Sequence, residues 1–119
     1  MKSINILGTV YALKVKKYDE DDAFESRQCD GYCDGYAKEI VVCDMRTHKN
    51  WQGEQEQTIQ ECQKSVLRHE IVHAFLNESG LMASSFVSDR GWALNEEMVD
   101  WISLQGKKIY DAWRQTECV

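Results

Sequence analysis

His69-Glu70-Ile71-Val72-His73 is the stretch of this chain whose residue types and spacing could carry chemistry. In a helix, residues four apart stack one turn above one another, so both imidazoles project from one face. Two neutral imidazole nitrogens at that separation suit a single zinc ion, whose tetrahedral shell accepts nitrogen donors. Glu70, next to the first imidazole, stands where a carboxylate can take a proton from a water at the metal's open position. It can then hand that proton to a leaving amine. The chain has only three His, and two of them fall in this pattern.

Two imidazoles leave a catalytic zinc one protein ligand short. No His follows His73, which removes a downstream imidazole as the third ligand. The segment Trp92 to Trp101 offers carboxylates instead. At about 100° per residue, Glu96, Asp100 and Ser103 form a narrow polar stripe on a helix. Most of the remaining circumference is Leu94, Met98, Val99, Trp101, Ile102 and Leu104. Such a helix is expected to be largely buried, and buried carboxylates need partners. Zinc for Glu96 and an imidazole for Asp100 supply both. Glu97 is less well directed but stays open as the ligand, and two surface acids on an amphipathic helix is the plain alternative.

These residues need elements to hold them. Thr58-Ile59-Gln60-Glu61 fits a capping box, so a helix is expected from about 58 to 79. Ile59, Cys62, Val66, Val72 and Leu76 recur near helical spacing, and Gly80 closes the helix. A looser stretch, Leu81 to Gly91, leads to a second helix over about 92–105 that Gly106 stops, and Ile109, Ala112 and Trp113 suggest a short last helix. Ahead of them the chain reads as strands. Tyr11, Leu13 and Val15 alternate with Lys14 and Lys16, the period-two pattern of a sheet with one wet face. Asp30-Gly31 and Asp34-Gly35 precede Ile40-Val41-Val42-Cys43, so residues 31–44 read as a hairpin and 45–57 as a polar connection.

Composition sets the limits. With 119 residues, 43 % of them apolar, the chain suits a single domain spanning 1–119. Its 20 acidic against 14 basic residues give a net charge of −6, which argues against a nucleic-acid partner. Asp19-Glu20-Asp21-Asp22 reads as a solvated turn. No run approaches membrane-span length, and the apolar N-terminal stretch, interrupted by Asn5, Thr9 and Tyr11, reads as a strand and not a signal peptide. Five cysteines, an odd number, fit reduced thiols in a cytoplasmic protein. No disulfide is expected, and no metal on Cys29, Cys33 and Cys43.

The pattern His69-Glu70-x-x-His73, followed by Asn95-Glu96-x-x-x-Asp100, resembles the gluzincin metallopeptidases. The wider stretches Arg68 to Leu76, Glu78 to Leu81 and Asn95 to Trp101 are similar to small phage- and prophage-associated metallopeptidases, compact relatives of the ImmA/IrrE group. The resemblance covers about the last half of the chain strongly and the Asp-Gly hairpin weakly. It implies an α+β minimal zincin fold: a small twisted antiparallel sheet on the active-site helix, then a glutamate-bearing helix. It also implies Glu96 as third zinc ligand and Asp100 as the group orienting His69 or, less well, His73. Large gluzincins take their oxyanion donor from segments absent here, and His48, Tyr32, Tyr36, Arg90 and Tyr110 are the replacements on offer. The strand region from Tyr32 to Cys43 could supply an edge on which substrate backbone lies extended.

The expected activity is zinc-dependent hydrolysis of a peptide bond in a protein or peptide, with Glu70 as general base. The rival is a zinc-stabilised binding module that no longer turns over. Glu70 speaks for the enzyme, since a structural zinc has no need of it. Hydrolysis of a non-peptide amide is a third, weaker option.

Overall fold

β1 (Lys2–Ile6) and β2 (Thr9–Lys16) open the chain as an antiparallel hairpin. Its two-residue turn puts both Leu7 (φ 51°) and Gly8 (φ 92°) in the left-handed region, which matches the twist of the flanking strands. The computed structural model describes residues 2–86 and 91–117, Phe86 by its backbone alone. After a 3₁₀ turn at Tyr18–Glu20 and the short α1 (Ala23–Ser26), a second hairpin forms from β3 (Gly31–Asp34) and β4 (Glu39–Cys43). Asp34 shapes its turn: Oδ1 accepts from the backbone N–H of Tyr36 and of Ala37, each at 2.9 Å.

The four strands make one sheet in the order β1-β2-β4-β3. β4 runs antiparallel to β3 but parallel to β2, so the sheet is mixed and not antiparallel as the resemblance implied. The excursion through α1 is long enough to bring the second hairpin back beside β2 in the same sense. β4 becomes a central strand, with Ile40, Val41, Val42 and Cys43 all buried. Its alternation feeds two cores. Ile40 and Val42 join Ile6, Tyr11 and Ala74, while Val41 and Cys43 join Phe24, Met45 and Ile59.

α2 (Glu56–Glu78) packs its Val66, Leu67, Ile71 and Ala74 on the first of these cores. It begins two residues before the expected Thr58. Gln55 is the N-cap, in extended conformation and with no side-chain cap, so the Thr58 capping box does not form. The end falls as expected: Gly80 (φ 85°) follows Ser79, whose N–H returns to Phe75 O at 2.9 Å. At this end Glu78 ties helix to sheet, accepting from Lys38 Nζ (2.6 Å), the Tyr11 hydroxyl (2.7 Å) and the Thr9 hydroxyl (2.9 Å).

The stretch after Gly80 is less loose than its sequence suggests, since Leu81–Phe86 form α3. α4 is one continuous helix, Glu96–Gln115, where the sequence suggested a stop at Gly106 and a separate short helix. Gly106 is not in the left-handed region that a helix-closing glycine adopts, and a helix-interior glycine only weakens the helix locally. Asn95 caps its start, its side chain accepting from Met98 N at 2.9 Å. Val99 of α4 packs with Leu76 of α2, and Arg68 Nε donates to the Ser103 carbonyl at 3.2 Å. No helix among the described residues is long and apolar enough to cross a membrane.

Candidate metal centre

His69 and His73 stand one turn apart on α2, and α4 crosses in front of them with Glu96 and Asp100 in its first two turns. His69 Nε2 lies 3.1 Å from His73 Nε2. Glu96 reaches both: Oε2 is 3.0 Å from His69 Nε2, and Oε1 is 3.2 Å from His73 Nε2. Asp100 Oδ1 lies 2.6 Å from His69 Nδ1. A carboxylate only accepts, so Nδ1–H donates to it, and that tautomer leaves a lone pair on Nε2 facing His73 and Glu96.

This donor set fits a metal ion. Two imidazole nitrogens and a carboxylate oxygen converging on one point are the donor set of a catalytic zinc with one position left open. Ligands about 2.1 Å from a tetrahedral zinc are about 3.4 Å from each other. With Glu96 Oε2 as the carboxylate donor, the separations are 3.1 Å between the imidazole nitrogens, and 3.0 and 3.4 Å from the oxygen to His69 and His73, close to that spacing. His69, His73 and Glu96 can therefore hold a metal between them. Burial pushes the His73 imidazole below its ordinary value, which keeps it neutral and available as a ligand.

Glu70 is placed differently from the other acids. It is 6 % exposed, and its Oε1 lies 3.9 Å from His69 Nε2. Burial pushes its carboxyl up to about 7; His69 opposes that rise and Glu96 adds to it. That value belongs to the metal-free protein; a cation held beside the carboxyl would favour its charged form, the one that can accept a proton. Its seat depends on Gly31. A Cβ built there would stand 2.8 Å from Val66 Cγ1 and 3.3 Å from Glu70 Cγ, so only glycine lets β3 lie this close to α2.

The expectation that Glu96 and Asp100 are buried acids is corrected. Their side chains are 64 % and 59 % exposed, and of α4 only Val99 and Ser103 are buried. Among the described residues α4 is covered on the side of Val99 and Ser103, and these acids face an open cleft. What singles them out is their contact with the imidazoles and not a need for partners in a dry interior. Glu97, the other possible ligand, is exposed and does not belong to the converging group.

The cleft has a volume of about 660 Å³ and runs from the imidazoles to Gly31, Tyr32 and Cys33 of β3. β3 is an edge strand of the sheet. Because Cys43 N donates to Asp30 O at 2.8 Å, strand alternation turns the backbone N–H and C=O of Cys33 to the outer edge. Of the oxyanion candidates, Tyr32 lines the cleft but its hydroxyl donates to Asp21 Oδ2 at 2.6 Å. His48 is buried elsewhere, its ring 4.6 Å from Tyr18 and its Nε2 3.3 Å from Asp30. Tyr36 and Tyr110 are exposed outside the cleft, and Arg90 lies outside the described residues. Arg27, which sequence reasoning passed over, is the one Lys or Arg lining the cleft among the described residues. Its guanidinium lies over the Tyr32 ring, 5.4 Å from the centroid. Its position follows from the fold between α1 and β3, and no motif in the chain announces it.

Among the described residues the converging group contains no cysteine. Cys29, Cys33, Cys43 and Cys62 are free thiols, and Cys118 lies outside the described residues. Burial pushes Cys33 and Cys43 each up to about 12, away from thiolate character. A second groove, of about 490 Å³, lies between the first hairpin and α2 and brings no such donor set together. Comparison of the chain with family models, with curated proteins and with solved structures gives no match in any of the three.

Proposed function

We propose that the chain is a zinc-dependent peptidase with a minimal, gluzincin-like zincin build. The observation that carries this reading is the convergence of His69, His73 and Glu96, with Asp100 behind His69 and the buried Glu70 beside it. The likeness of His69-Glu70-x-x-His73 and Asn95-Glu96-x-x-x-Asp100 to the gluzincin pattern points the same way. His69, His73 and Glu96 would hold the ion, which when bound polarises a carbonyl and makes water more acidic.

The chain's own residues have separable tasks. Asp100 holds His69 in the tautomer that presents Nε2. Glu70 takes a proton from the attacking water and returns it to the leaving amine nitrogen as the peptide C–N bond breaks. The outer edge of β3 offers Cys33 backbone groups to an extended peptide, the geometry of strand addition. Arg27 is the side chain best suited to meet negative charge on the substrate, at the developing oxyanion or at a neighbouring carboxylate.

Metal analysis of the purified protein, with peptide-library cleavage before and after chelation, tests the reading. Glu70→Gln should keep metal content and fold close to wild type while cleavage falls about 10²–10⁴-fold. His73→Ala should lose metal and activity together. Zinc-dependent cleavage whose rate is unchanged in Glu70→Gln would sink the mechanism. The ion would then be a structural support for a binding surface.

A further inference from the structure

α4 carries a second pattern that the metal centre does not use. Val99 and Ser103 turn toward α2 and are buried. Nearly opposite them on the helix, at spacings of four, three and four residues, run Glu97, Trp101, Leu104 and Lys108. Trp101 is 58 % and Leu104 55 % exposed, so two large apolar side chains sit on the most solvent-facing line of the helix. Glu97 and Lys108 bracket them and are themselves exposed.

We propose that this stripe is a self-association surface, on which α4 of a second copy of this chain packs antiparallel about a two-fold axis between Ile102 and Ser103. The order acid, Trp, Leu, base is complementary to its own reverse. In the antiparallel register Glu97 meets Lys108 of the second copy, and Trp101 meets its Leu104, each contact occurring twice. In a parallel register Glu97 would face Glu97 and Lys108 would face Lys108, which is repulsive. The charges thus select both the orientation and the partner. Glu96 and Asp100 lie on the flank of α4 and not on this stripe, so the cleft stays open beside the pair. The stripe is about 16 Å long, so the contact is small and the dimer concentration-dependent.

Sedimentation equilibrium of the whole chain across the micromolar range tests it. Wild type should show a monomer–dimer equilibrium. Glu97→Lys and Lys108→Glu should each shift it to monomer, and the double variant should restore the dimer with the charges exchanged. Far-UV circular dichroism checks that each variant is folded. Carbodiimide cross-linking of the unmutated protein gives a second readout, because Glu97 and Lys108 of one helix are too far apart to join to each other directly. A Glu97–Lys108 cross-link found only in the dimer band supports the register. Wild type that stays monomeric overturns the proposal, leaving Trp101 and Leu104 for a different partner or for chain outside this segment. A folded double variant that stays monomeric, or a dimer without that cross-link, overturns it too.

Discussion

At the scale of single residues, Glu70 and Glu96 show how one side-chain type is made to do two jobs. Glu96 is exposed and in contact with both imidazoles, whereas Glu70 is buried with its carboxyl pushed up to about 7. For an acid whose folded value is raised, the protonated form is the one the fold favours. The stabilisation is full below the unfolded value near 4.3 and is lost as pH rises through about 7. Between those limits the metal-free protein loses up to roughly 3–4 kcal/mol from this group. Gln has the same shape and no charge to desolvate. Under chelation, Glu70→Gln should therefore be more stable than wild type at about pH 8, by up to that amount, with the gap closing toward about pH 4.5. Urea unfolding at both pH values measures it. A gap that does not change with pH would mean that burial of the charge is not what sets this carboxyl.

Among the elements, two glycines have opposite meanings. Gly31 is where β3 comes against α2, with a Cβ there meeting Val66, Glu70 and the Val41 carbonyl at 2.9 Å. Gly31→Ala should cost about 1–3 kcal/mol through overpacking. It should also lower turnover by more than the lost stability explains, because Glu70 is one of the groups displaced; activity per folded molecule separates the two. Gly106 is in the interior of α4 with nothing within 4 Å of an added Cβ. Gly106→Ala should raise stability by about 0.5–1 kcal/mol, since alanine fits the helix and loses less backbone freedom. Thermal unfolding reads the sign, and a lower midpoint would show that the glycine has a packing role.

For the molecule as a whole, α4 is tied to α2 among the described residues by Val99 against Leu76, by the Arg68–Ser103 bond, and by its two carboxylates on α2's imidazoles. A metal held by His69, His73 and Glu96 joins α2 to α4 directly. Native-state hydrogen exchange of the amides from about 99 to 106 should then slow roughly tenfold or more when zinc is added to chelated protein. The β1–β2 hairpin should change little, because its links to α2, through Glu78 and the first core, do not pass through the ion. Protection rising equally over the whole chain would point to a global unfolding route instead.

His69, Glu70 and His73 could be read from the chain because a helix converts a spacing of four into a shared face, and nothing distant changes that. The strand in Ile40–Cys43, its hairpin with Gly31–Asp34 and the end of α2 at Gly80 were legible for the same reason: each is set by neighbours in sequence. Strand partners are not. Alternation and turn residues say that a strand exists, but the parallel pairing of β2 with β4 follows from how two hairpins bury their faces on one helix. The start of α2 and the continuity of α4 through Gly106 also depended on packing and length, which outweigh a single cap or a single glycine. Glu96 and Asp100 were found through their spacing, although the burial expected of them does not hold. Periodicity gives the direction of a side chain but not whether anything covers it. That is also why the open cleft, the place of Arg27 in it and the exposure of Trp101 and Leu104 were decided by the tertiary structure.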